Sequence, residues 1–226
     1  MLQMKSAWSL GVLFLALLAN LVLVAPLLAT TYTYDFSGPN VVVPSGTTFT
    51  DNGVTITAYG FQGPVPTSGG DTSTTQVALF EKSQGGGETG LGIDGSVTGF
   101  ATNEIVTTAS GTFYVQLDLA ELLALPANAF VAVSESVQDK EQYQFWESDT
   151  LGMLGTPIGS NSCGSAVCTE NFTLTHQYLS LSAPSVDVLL KSLTTSNAVP
   201  EPSSLLLLGS GIAGLGFWRL RRNKNR

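Results

Sequence analysis

Thr112-Phe113-Tyr114-Val115-Gln116-Leu117-Asp118-Leu119 places Phe113, Val115, Leu117 and Leu119 at alternate positions. Apolar residues with a period of two belong on one face of a strand, because successive side chains of an extended chain point to opposite sides. Outward from this stretch the pattern repeats. Tyr32, Tyr34 and Phe36 alternate with Thr and Asp, and Val54, Ile56 and Ala58 follow Asn52-Gly53, a turn signal. Further strand candidates are 75–81, 104–108, 129–137, 142–146, 172–175, 178–182 and 186–190. About ten short strands separated by Gly, Asn, Ser and Thr predict an all-β fold, an antiparallel β-sandwich of jelly-roll type. Only Leu119 to Leu125 reads as helical, and Pro126 stops it. No fixed-period repeat occurs, which argues against a solenoid or propeller.

The patterned region, residues 30–198, is bounded by two segments of different character. Residues 1–29 carry Lys5, an apolar run from Ala7 to Leu28 interrupted by Asn20 and Pro26, and a small residue at Ala29. That is the layout of a signal peptide for the Sec export machinery, cleaved after Ala29, with an uncleaved anchor as the alternative. Residues 199–226 open on Val199-Pro200-Glu201-Pro202, where the two prolines hold the chain extended. An uncharged run follows from Leu205 to Trp218, with Gly209, Gly211, Gly214 and Gly216 along it. As a transmembrane helix it spans only about 21 Å, short of the roughly 30 Å hydrocarbon core, and makes a weak anchor. Arg219, Arg221, Arg222, Lys224 and Arg226 then hold the C-terminus on the cytoplasmic side and leave the rest of the chain outside.

The Pro-Glu-Pro stretch, the short apolar helix and the basic end resemble the PEP-CTERM sorting signal of Gram-negative bacteria. The resemblance covers the last 28 residues. It implies recognition by exosortase, a membrane-embedded cysteine protease-transpeptidase that removes the helix, with Pro200, Glu201 and Pro202 as recognition residues. It also implies delivery to the surface or extracellular matrix of cells that make exopolysaccharide. An ordinary C-terminal anchor on a Pro-rich stalk is the plainer reading.

Between its flanks the chain holds three lysines, Lys82, Lys140 and Lys191, against 16 acidic residues, a net charge of −13. No cationic cluster is present to neutralise phosphates, so the domain is not expected to bind nucleic acid. Cys163 and Cys168 are expected to pair in an oxidising exterior, closing a short loop worth about 2 kcal/mol by the loop-entropy model.

Four groups of residues bear on chemistry. The glycine-rich segment from Gln84 to Gly95 lacks the Gly-Lys-Ser/Thr of a phosphate cradle and reads as a turn-rich crossover; Glu81, Glu88, Asp94 and Glu104 are the carboxylates it offers a Ca²⁺. The stretch from Gly87 to Asp94, with Thr102 to Ile105 and the Val115 strand, also resembles the secreted β-domains that commonly precede this sorting tail. Tyr143 and Trp146 are the candidate ligand-binding residues, with Trp146 the only Trp between the flanks and able to stack on a sugar ring. If Tyr143 and Phe145 face the core, Gln142, Gln144 and Trp146 face the other way. Glu141 and Glu147 are the carboxylates a glycan hydrolase would use, although those near Lys140 read as exposed hairpin residues. His176, the only histidine, has no nucleophile elbow to serve and reads as structural.

The sequence therefore predicts an exported structural or adhesive protein, associated with exopolysaccharide and without metal or cofactor. A carbohydrate-binding module is the second reading and a glycan hydrolase the third; a non-enzyme is expected.

Overall fold

The computed structural model describes residues 30–64, 75–83, 88–99, 101–109, 111–125, 127–134, 141–162 and 167–197, with backbone alone at 127–134, 161–162 and 196–197. Thr30–Ala198 forms one compact unit. The expected signal peptide, apolar helix and basic tail lie outside the described residues.

Fifteen strands follow in order: β1 (Thr31–Asp35), β2 (Val41–Val43), β3 (Thr47–Asp51), β4 (Val54–Gly63), β5 (Thr75–Val77), β6 (Leu79–Lys82), β7 (Gly90–Ile93), β8 (Ile105–Thr108), β9 (Gly111–Asp118), β10 (Ala127–Ser134), β11 (Gln142–Ser148), β12 (Thr156–Ser162), β13 (Val167–Phe172), β14 (Tyr178–Ser185) and β15 (Asp187–Asn197). Two single helical turns, α1 (Gly95–Thr98) and α2 (Ala120–Leu123), interrupt them. Every pairing is antiparallel. One sheet runs β13-β10-β15 and continues into β1 and β7-β6-β2; the other runs β12-β11-β14-β9-β4 and ends on β3 and β5. From β9 to β15 the chain changes sheet at every step except β11 to β12, and β8 pairs with both β9 and β15. Neighbours thereby become β8-β15-β10-β13 in one sheet and β9-β14-β11-β12 in the other, the double Greek-key winding of a jelly roll.

Alternation builds the core between the sheets. Ile56, Ala58, Phe113, Val115, Leu117, Phe145, Leu179 and Leu181 face inward from one sheet, against Tyr32, Tyr34, Phe36, Leu79, Leu91, Ile93, Leu190 and Leu193 from the other. The Asn52-Gly53 signal forms the β3–β4 hairpin: both residues have positive φ, 49° and 80°, as a type I′ turn requires, and Asp51 pairs with Val54.

The expectations fail where an inward position is not apolar or a strand is rich in glycine. The segment read as a crossover contains β7, fully buried between β6 and β15. Its glycines permit the approach: a Cβ on Gly92 would meet Asn103 O at 2.2 Å. β13 runs over Val167–Phe172 rather than 172–175, with Glu170 at an inward position that the Tyr143 hydroxyl satisfies at 2.6 Å. β2, β3 and β12 carry too few apolar residues, or too short a run, to show a period. No hairpin joins β10 to β11, since β10 pairs with β13 and β15, and β11 with β12 and β14; Lys140 itself lies outside the described residues.

Candidate functional site

Charge is concentrated at one place in the fold. Lys82 ends β6, Glu104 immediately precedes β8, and the close passage of Gly92 against residues 103 and 104 brings the two together. The Lys82 ammonium donates to Glu88 Oε2 at 3.0 Å and to Glu104 Oε1, with all three side chains largely buried. Asp187, the first residue of β15, bonds the Glu104 carboxyl, and Glu141, 1% exposed, completes a set of three carboxylates whose oxygens lie within 4.8 Å of one another. Burial pushes the Glu104 carboxyl up to about 9; the Asp187 bond acts in the same direction and Lys82 opposes it. Burial works against the Lys82 charge, but its bonds to Glu104 and Glu88 outweigh that and raise its pKa.

The sequence paired Glu88 and Glu104 with Glu81 and Asp94, and the fold separates the two pairs. Asp94 caps α1 by accepting the Ser96 N–H at 3.0 Å, and Glu81 packs on Gly38. Three carboxylate oxygens in one place are of the type a hard cation takes, but Lys82 already supplies a positive charge among them. Glu141 and Asp187 were missed because they lie far apart in sequence and meet only through the winding. The expectation that Glu141 is an exposed turn residue is corrected by its burial.

The second place is the outer face of the β9-β14-β11 sheet. Residues 149–155 fold over it: Tyr114 Oη donates to Gly152 O at 2.6 Å, and Gln116 receives the Gly152 N–H at 2.7 Å and donates to Met153 O at 2.9 Å. Beneath lies a small apolar cluster of Phe61, Tyr114 and Leu154, with Tyr59 and Trp146 packed at its side. Trp146 is partly exposed, and its indole N–H donates to Ser182 Oγ at 2.9 Å, which fixes the ring. Tyr143 faces the opposite way into the core and is 1% exposed. Its ring packs edge-on against Phe145, with centroids 5.5 Å apart, so it has no face for a ligand. Of the two expected ligand residues only Trp146 reaches the surface.

Glu141 and Glu147 lie six residues apart along an extended segment, a separation of about 20 Å at the rise of a strand. A glycosidase pair works at no more than roughly 9.5 Å. Glu147 is occupied elsewhere: His176 Nδ1 lies 2.8 Å from its Oε2 and Thr175 Oγ1 2.6 Å. Thr175 also meets His176 at Nδ1, at 2.9 Å, whereas a nucleophile relay needs the carboxylate and the hydroxyl on opposite ring nitrogens. The group ties residues 175 and 176 to β11.

Residues 198–222 match the family model of the PEP-CTERM protein-sorting motif. The chain carries the sorting signal of exosortase substrates. A PEP-CTERM signal implies export, with a membrane-anchored precursor and then a location at the surface or outside the cell. It also implies processing by exosortase. The match takes in Pro200, Glu201, Pro202, Arg219, Arg221 and Arg222, and stops short of Lys224 and Arg226. No curated protein matches the chain. Among the described residues no helix is long and apolar enough to cross a membrane, and Leu205 to Trp218 lies outside them. Cys163 also lies outside them; Cys168 sits on β13 against the core, and no described cysteine is free.

Proposed function

We propose that residues 30–198 act as a structural or adhesive component of the cell surface or extracellular matrix, held in association with exopolysaccharide. The observation that carries this reading is the junction at residue 198. β15 ends at Asn197 and the PEP-CTERM match begins at the next residue, so the sorting signal follows the jelly roll directly. Entry through the Sec machinery and pairing of Cys163 with Cys168 belong to the same proposal. Matrix fractionation of the native host tests it. The protein should sediment with the polysaccharide and be released when that polymer is digested; recovery in the soluble fraction before digestion would overturn it.

Trp146 favours a second reading, a carbohydrate-binding module. Its partly exposed indole is held by Ser182 on a sheet face that also presents Tyr59. On this reading Trp146→Ala abolishes retention on the host polysaccharide while the far-UV spectrum and melting temperature stay close to wild type. Unchanged retention would leave the structural role alone.

A further inference from the structure

We propose that Lys82 and Glu104 condense to an intramolecular amide, a covalent staple between the end of β6 and the start of β8. The geometry supplies each requirement of that reaction. The nucleophile and the acceptor are in direct contact, and both side chains are largely buried. Among the described residues no other lysine forms an ion pair. Holding the partners together replaces an encounter in solution by an effective molarity that can reach about 10⁵–10⁸ M, and exclusion of water removes the competing nucleophile.

The neighbouring acids complete the proton inventory. Glu104 is kept as the neutral acid by burial and by Asp187, and a neutral carboxyl is the form an amine attacks. Glu88, 3.0 Å from Lys82 Nζ, takes one proton from the ammonium and frees the nitrogen lone pair. Nζ then forms a bond to Glu104 Cδ, the C–O bond to the carboxyl hydroxyl breaks, and water leaves. The balance is lysine ammonium, Glu104 acid and Glu88 carboxylate giving the amide, one water and Glu88 acid; no oxidant, cofactor or activated donor enters. Asp187 lies against the acceptor carboxyl and accepts the hydrogen bond of its hydroxyl, which helps to hold Glu104 neutral and in place beside Nζ.

The staple holds whether the domain is structural or sugar-binding, and it suits a protein that must resist force and proteases outside the cell. The test is the intact mass of the mature protein from its native host, denatured and reduced, compared with the sequence between its own two termini. The expected result is a mass lower than the sequence by one water, no tryptic cleavage after Lys82, and fragmentation that places the branch at Glu104. The Lys82→Arg variant should regain the full mass, and that difference does not depend on its stability. A wild-type protein of full sequence mass, cleaved normally after Lys82, would overturn the proposal, as would a branch mapped to Glu88.

Discussion

Tyr114 donates its hydroxyl to the Gly152 carbonyl at 2.6 Å, pinning the β11–β12 connection across the outer face of the sheet. The bond is buried, and burial pushes the Tyr114 phenol well above its usual value. Tyr114→Phe should cost about 1 kcal/mol, the net worth of one such bond, because it leaves the Gly152 carbonyl covered and without this donor. Urea unfolding should show a lower midpoint at unchanged slope. An unchanged midpoint would mean that the connection is held by Leu154 packing alone.

Val186 is the only residue between β14 and β15 and has φ of 63°, a left-handed conformation that a β-branched side chain resists. It is 44% exposed, so little packing compensates. Val186→Gly should stabilise the domain by about 1 kcal/mol, the relieved strain less the entropy glycine adds to the unfolded chain. For a domain of this size that raises Tm by roughly 2–4 °C. A lower Tm would show that the corner is not strained.

His176 should titrate above its ordinary value, because its bond to Glu147 favours the charged ring over a smaller opposing effect of burial. A raised pKa in the folded state means that this contribution to stability is full below the unfolded value of about 6.5 and is lost as pH rises through the folded value. As the only histidine, its ring protons give a single titration curve by NMR. Glu147→Gln should bring the midpoint down towards 6.5; a midpoint unmoved by the substitution would assign the shift to another group.

The core strands were legible because their inward residues are apolar and their period is unbroken, as in β9 and β14. Legibility ended where tertiary contact replaced solvent. Tyr114 and Gln116 occupy what the period marks as the outer face, yet both are buried because residues 149–155 cover it. β7 was hidden by glycines whose value lies in the backbone they admit, not in a side chain. The charged cluster was half visible: Glu88 and Glu104 are among the carboxylates the sequence offers a Ca²⁺, but Lys82 as their partner needed the β6–β7 register, and Asp187 and Glu141 the jelly-roll winding.

Replacing Pro200-Glu201-Pro202 by three alanines should leave a larger, membrane-retained form in the native host, because the Pro-Glu-Pro motif is gone while the apolar run remains. Immunoblots of membrane and extracellular fractions read the outcome. Processing that continues unchanged would reduce the tail to an anchor.

The most direct measurement is the identity of the two termini of the mature protein from its native host. Export with tail removal predicts a chain that begins near Thr30 and ends near Glu201. A mature chain that still carries Arg226 would contradict it and leave a membrane-tethered protein in place of a sorted one.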